Sequence, residues 1–136
     1  MPTSPSTPPC RPTLGAMLRH LAVVHGEDTL VVLGDQRATY GEIERRSADL
    51  ARALMAAGAG KGTRVALLAP NGPQWLVGCF AITRIGAMAV LCNTYHKARE
   101  LGWVLHHADV HHLVTVDRHL EHDRGDKRCL RGATQR

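Results

Sequence analysis

Hydrophobic positions along this chain fall into blocks of two different periods. The densest block is Arg64–Asn93, RVALLAPNGPQWLVGCFAITRIGAMAVLCN. After Arg64, the run Val65–Ala69 is unbroken and apolar. A run that short without alternation fits a strand buried on both faces. Pro70-Asn71-Gly72-Pro73 is turn punctuation. Asn71 or Gly72 can cap a helix, and Pro73 suits the first turn, where no amide hydrogen is required. Gln74–Ile85 is then apolar nearly all the way round, through Trp75, Leu76, Val77, Phe80, Ile82 and Ile85, so the helix it predicts needs cover on most sides. Gly86 ends it, and Met88–Cys92 reads as a second strand. Strand, crossover helix and strand predict a right-handed parallel unit. Val65 and Val90 should run the same way, with Trp75, Phe80 and Ile82 shut away from water.

The flanking segments extend the pattern. Thr13 can cap a helix over Leu14–His25, with Leu14, Met17, Leu18, Leu21 and Val24 at helical spacing and Gly26 as the stop. Thr29–Leu33, a turn at Gly34-Asp35-Gln36 and a return through Arg37–Thr39 give a hairpin. Thr39 and Glu42 have the spacing of a capping box, in which each side chain satisfies an unpaired amide at a helix start. The helix that follows carries Ile43, Ser47, Leu50, Ala51, Leu54 and Ala57 on one face. Glu44, Arg45, Arg46, Asp49 and Arg52 take the other, and Gly58 and Gly60 close it. Beyond Asn93, the polar link Thr94–Lys97 leads to a helix over Ala98–His107, with Leu101, Val104, Leu105 and Ala108 on one face. His111–Val116 is a last strand. The fold class that follows is α/β: a mostly parallel sheet with helices on both faces, plus an N-terminal edge hairpin. Three segments are expected: a disordered Pro/Ser/Thr-rich leader over 1–12, a folded unit over 13–117, and a basic, disordered tail over 118–136.

Composition narrows the function classes. Of 136 residues, 44% are apolar, enough for one domain with a modest core. Aromatic residues are 4%, which argues against a stacking platform for nucleic acid. Most of the +5 net charge lies in residues 118–136, so the folded part is close to neutral. Cys10, Cys79, Cys92 and Cys129 form no CxxC pair, and Cys79 and Cys92 sit inside buried elements. A reducing, cytoplasmic setting is expected. No apolar run approaches the roughly 18 residues of a membrane span, and the N-terminus does not read as a secretory signal.

Candidate chemistry is sparse. Gly58–Thr63, GAGKGT, has a glycine after its lysine and enters a strand from a helix. A phosphate cradle leaves a strand and opens a helix. Six of the nine histidines lie at 106, 107, 111, 112, 119 and 122, with Asp109, Asp117 and Asp123 among them. Adjacent pairs point apart on a helix or a strand, so no built metal site is expected. Asn71 stands where a buried strand meets a helix, a place where parallel sheets collect ligands. The simpler reading is a turn cap.

Five short motifs share one order. Ala38-Thr39-Tyr40-Gly41-Glu42-Ile43 resembles the first core motif of the adenylate-forming enzymes, the superfamily of AMP-dependent acyl-CoA synthetases, luciferases and peptide-synthetase adenylation domains. Gly60-Lys61-Gly62-Thr63-Arg64-Val65-Ala66 resembles their Gly-x-Gly-Asp-x-Val-Ala segment, with Thr63 where Asp is usual. Pro70-Asn71, Arg84-Ile85-Gly86-Ala87, and Leu91-Cys92-Asn93-Thr94 followed by Glu100-Leu101 continue it. The resemblance covers about Leu14 to Asp117.

The resemblance implies a two-step ligase. A carboxylate attacks the α-phosphate of ATP in the presence of Mg²⁺, giving an acyl-adenylate, and CoA then takes the acyl group as a thioester. The family's phosphate loop, adenine and ribose motifs and catalytic lysine lie beyond the matched region. The expectation is therefore an N-terminal subdomain that ends before the catalytic parts and is inactive alone, with no catalytic residue and no metal ligand. ATP, Mg²⁺ and CoA belong to the parent enzyme, and none is expected for this chain by itself. One cofactor contact is implied, from a basic residue to a CoA phosphate: the matched position is Tyr95, the nearest basic counterparts are His96 and Lys97, and Lys97 is the candidate, with a solvated loop lysine as the simpler reading. The competing expectation is a non-catalytic module that self-associates or pairs with a full-length synthetase through its incomplete sheet.

Overall fold

In a computed structural model, residues 10–116 are described, and the chain alternates helix and strand. The order is α1 (Leu14–Val24), β1 (Thr29–Leu33), β2 (Gln36–Thr39), α2 (Tyr40–Ala56), β3 (Arg64–Leu68), α3 (Pro73–Arg84), β4 (Met88–Leu91), α4 (Ala98–His107) and β5 (His112–Thr115). The expected leader over 1–9 and the segment from 117 onward lie outside the described residues.

Strand β3 is the middle of a three-stranded sheet ordered β4-β3-β5, and both neighbours run parallel to it. Ala66 pairs with Val90 on one side and Leu113 on the other. The pattern that predicted burial on both faces holds side chain by side chain. Val65 and Leu67 enter a cluster with Ala51 and Leu54 of α2 and Ala81 and Ile82 of α3. Ala66, one residue out of phase, packs instead with Cys92 and Leu101, and Leu68, Val104 and Leu105 pack against them. Period-two alternation thus sends α2 and α3 to one face of the sheet and α4 to the other.

Helix α3 starts at Pro73 after Gly72, whose φ of 142° opens the turn without a side-chain cap. Ile82 is fully buried, while Trp75 and Phe80 are half-buried. The expectation that all three are shut from water holds for Ile82 alone, because Trp75 and Phe80 only line the margins of their clusters.

Two further expectations change. The hairpin β1–β2 is a two-stranded sheet of its own and does not extend the parallel sheet. Its position is fixed where β2 runs straight into α2. The Tyr40 amide donates to the Asp28 carbonyl at 3.1 Å and the Gly41 amide to the Gly26 carbonyl at 2.9 Å. These bonds tie the hairpin to the end of α1, and Ala38 joins a cluster with Leu18, Ile43 and Val77. On α1 the buried side is Gly15 and Leu18, whereas Leu14, Met17 and Val24 are exposed. The reason is a close crossing: a Cβ on Gly15 would lie 2.8 Å from the Arg84 Cβ and 3.2 Å from its Cα. The helix leans on its glycine, which rotates the outer apolar residues away from the core. Ala57, assigned to the core face of α2, is likewise exposed, since it already caps the helix.

The contact between α3 and β3 generates a stability prediction. A Cβ at Gly78 would stand 2.5 Å from Cδ1 and 3.3 Å from Cδ2 of Leu67, which is itself fully buried. Helix propensity alone makes Gly78→Ala stabilising by about 1 kcal/mol. Overpacking a closed core costs about 1–3 kcal/mol. The steric term wins, so Gly78→Ala should lower stability in urea unfolding. A midpoint shifted upward would show that Leu67 has room to move.

Candidate functional site

Three co-directional strands bring their carboxyl ends to one side of the sheet. The loop after β3 leads to α3 on one face, and the loop after the adjacent β4 leads to α4 on the other. Ligands of parallel sheets bind beyond the carboxyl ends of their strands. The flanks of that end after β3 and β4 are Pro70-Asn71-Gly72 and Asn93–Lys97.

The local structure of these flanks is mostly self-satisfied. Asn93 Oδ1 accepts from the Tyr95 amide at 2.9 Å, an Asx turn that sets the exit of the chain from β4. The His96 amide donates to the Asn93 carbonyl at 3.2 Å, while His96 Nδ1 is buried without a hydrogen-bond partner. Lys97 is exposed at the N-cap of α4, and its amide donates to Glu100 Oε2 at 2.9 Å. Asn71 is exposed, and the cap of α3 is Gly72. Lys97 is thus an accessible cation on the loop that follows β4.

Four of the five quoted motifs prove to contain a joint of the fold. Thr39 Oγ1 accepts from the Glu42 amide at 3.2 Å and Glu42 Oε2 from the Thr39 amide at 2.9 Å, which closes the capping box. Thr63 Oγ1 accepts from the Gly60 amide at 3.0 Å and fixes the turn into β3. A carboxylate could accept that same bond, which accounts for a threonine at the position where aspartate is usual. Gly62 and Gly86 have φ of 82° and 75°, a region that side-chain-bearing residues avoid, and the Gly62 amide donates to the Gly86 carbonyl at 3.0 Å. Ala87 beside it is buried.

Arg84, in the same motif, carries a contact that hydrophobic periodicity did not reveal. Its guanidinium reaches from α3 to the Glu44 carboxylate of α2, and its side chain is 9% exposed. Glu44 was assigned to the polar face of α2, yet it is 20% exposed and also lies 3.8 Å from the Arg19 guanidinium of α1. One carboxylate therefore links three helices. The readable signal was Arg84 itself, a cation on a helix that is otherwise almost wholly apolar.

The histidine-rich segment does not converge. Among the described residues, no group of three His, Cys, Asp or Glu side chains is placed to hold a metal. His107 stacks on Trp103, with ring centroids 4.7 Å apart. The His111 amide donates to the Arg64 carbonyl at 2.9 Å, and Arg64 Nη1 pairs with Asp109 Oδ2 at 2.7 Å. These residues fasten β5 to the start of β3. His119, His122, Asp117 and Asp123 lie outside the described residues. The hollow lined by Ala22–Asp28 is the turn after α1, held by His25 Nδ1 and Asp28 Oδ2 at 2.8 Å. Burial pushes the Cys79 and Cys92 thiols up, away from the thiolate form a nucleophile requires. Among the described residues, no helix is long and apolar enough to cross a membrane.

Comparison with known proteins gives a consistent result. The family described as AMP-binding enzyme matches residues 18–135, which reaches past the motifs and into the basic segment. YngI of Bacillus subtilis (strain 168), named as an acyl-CoA synthetase, is 36% identical over 107 residues, which are 77% of this chain and 20% of that protein. The acyl-CoA ligase SID4 of Ajellomyces capsulatus is 33% identical over 130 residues, covering 77% of this chain and 22% of its own length. The N-terminal domain of FACL13 from Mycobacterium tuberculosis superposes with a TM-score of 0.70 at 31% identity, over 76% of this chain and 26% of that one. The chain spans about a fifth of the length of the curated relatives it matches.

The three-helix carboxylate can be tested by comparison with a surface pair. Removing one partner of a buried ion pair costs roughly 3–5 kcal/mol, because the remaining charge is left without compensation. Glu44 keeps some exposure, so Glu44→Ala should cost about 2–4 kcal/mol. Asp49, more than half exposed beside Arg52, should cost under about 1 kcal/mol as Asp49→Ala. Equal losses for the two variants in urea unfolding would contradict the linking role of Glu44.

Proposed function

This chain belongs to the AMP-binding enzyme family, and from that premise we propose that it is the leading scaffold of an acyl-CoA synthetase. It performs no adenylation by itself. In the complete enzyme a carboxylic acid attacks the α-phosphate of ATP with Mg²⁺ present, releasing pyrophosphate, and CoA then takes the acyl group from the adenylate. That displacement requires cations and oriented amides around the phosphates, with a metal to hold them. One observation carries this reading: nearly the whole chain matches the family, while it spans about a fifth of its relatives. The geometry supports it, since the motif side chains with hydrogen bonds in the structure spend them on caps, turns and a helix link.

The role of the chain in that reaction is architectural. It supplies the carboxyl end of the sheet and the loops after β3 and β4. Lys97, exposed on the loop after β4, is the residue we assign to a phosphate of CoA in the assembled enzyme. A single ammonium suits such a contact as a point charge.

A second reading has an observation of its own. Strands β4 and β5 are the edges of the parallel sheet, and Met88, Leu91 and Leu113 on them are exposed. An apolar edge is a template for pairing. It favours a non-catalytic module that joins a full-length synthetase.

Pyrophosphate release tests the first reading. The purified chain with ATP, Mg²⁺, CoA and a panel of fatty and aromatic acids should release none above a protein-free blank. Turnover with any acid would overturn it. Co-elution with a full-length synthetase in size-exclusion chromatography, lost in Leu91→Lys, would select the second reading.

A further inference from the structure

We propose that the outward stripe of α4, formed by Arg99, Trp103 and His107, docks an acidic segment of a partner protein. The three residues are spaced four apart and so share one helix face. The opposite face is fixed, because Leu101, Val104 and Leu105 pack into the cluster around Ala66 and Cys92. The stripe is therefore presented on a rigid element. Trp103 is 64% exposed and lies flat against His107, with an interplanar angle of 7°. That stack presets the indole, so little side-chain freedom remains to be lost on binding. A rigid, exposed Trp with an Arg beside it is the residue pair that dominates protein interfaces.

Charge decides what the stripe accepts. Among the described residues, Lys97 and Arg99 are exposed and form no ion pair, and they outnumber the one unpaired carboxylate near them. That carboxylate, Glu100, keeps its charge but accepts from the Lys97 amide at the helix start, and Asp109 is paired with Arg64. A visitor meets an excess of positive charge, whose complement is carboxylate. Arg99 can hold a carboxylate with two parallel hydrogen bonds. The face of Trp103 takes an aliphatic side chain beside it. A bilayer fits less well, because on this face Trp103 is flanked by exposed Arg99, Gly102 and His106. Surface anchoring needs more buried apolar area or a second signal. A second copy fits less well too: the exposed face of α2 carries Arg45 and Arg46, with Asp49 already paired to Arg52. The proposal is independent of the enzymatic reading.

Fluorescence anisotropy of a labelled peptide of alternating Glu and Leu tests it, using the full chain. Binding should saturate, weaken about tenfold in Trp103→Ala and about fivefold in Arg99→Glu, and stay unchanged in Arg46→Glu on α2. Vesicles containing phosphatidylserine should not compete. Absence of saturable binding overturns the proposal. So does equal weakening by Arg46→Glu, which would mean diffuse charge attraction. Vesicle binding that Trp103→Ala abolishes would make the occupant a membrane. A concentration-dependent dimer lost in Trp103→Ala would make it a second copy.

Discussion

The structure depends on the burial of β3 on both faces. A strand whose last four side chains, Val65 to Leu68, are apolar on both faces cannot leave either face to water. Val65 and Leu67 require cover on one side, Ala66 and Leu68 on the other. Each fully buried aliphatic side chain contributes about 1.5–3 kcal/mol relative to exposure. Helices on both sides follow from this, and so does parallel pairing, since each crossover helix must return the chain to the same end of the sheet. The gathering of the loops after β3 and β4 at one end of the sheet is thus a geometric by-product of satisfying the central strand.

The family motifs take on a physical meaning within that frame. The Thr39–Glu42 box starts α2, Thr63 bends the chain into β3, Gly86 turns it into β4 and Asn93 turns it out again. All of them are places where the chain changes direction, and a change of direction exposes amides that a nearby side chain has to satisfy. Glu44, Arg84 and Arg19 add the cross-link that keeps three helices in one orientation over the sheet. The residues that carry the family likeness are therefore residues that set the path of the chain.

How much was legible follows from the type of signal. Element boundaries came through within a residue or two, because apolar runs and punctuating Gly, Pro and Thr mark them locally. The facing of α4 was also readable, since Leu101, Val104 and Leu105 fall on one side of it, whereas α3, apolar nearly all the way round, named no face of its own. The facing of α1 was not. Its contact with α3 is made by Gly15, which has no side chain to register in a hydrophobic pattern, so Leu14, Met17 and Val24 suggested the wrong side. The hairpin was found, but its partner was not. Two hydrogen bonds to the Gly26–Asp28 turn place it, and bonds between backbone groups leave no mark on side-chain periodicity. Glu44 was misplaced because a charged residue on a helix is normally solvated, and its partner stands forty positions away. On the loop after β4, the motif singled out Lys97, and the fold leaves it exposed. The unpartnered Nδ1 of His96 could not have been foreseen, because its burial depends on packing.

Exposed apolar side chains complete the logic of the architecture. Met88 and Leu91 on β4 and Leu113 on β5 stand at opposite edges of a sheet only three strands wide. Among the described residues, central β3 is satisfied on both faces and along both edges, whereas each neighbour is paired on one edge alone. Parallel sheets that stand alone usually finish such edges with short, charged or covered strands. Here β4 offers methionine and leucine. The described sheet thus has a finished centre and less finished borders. The same asymmetry explains why this stretch keeps its family likeness: its interior constraints are met within the stretch itself, and only its margins refer to anything else.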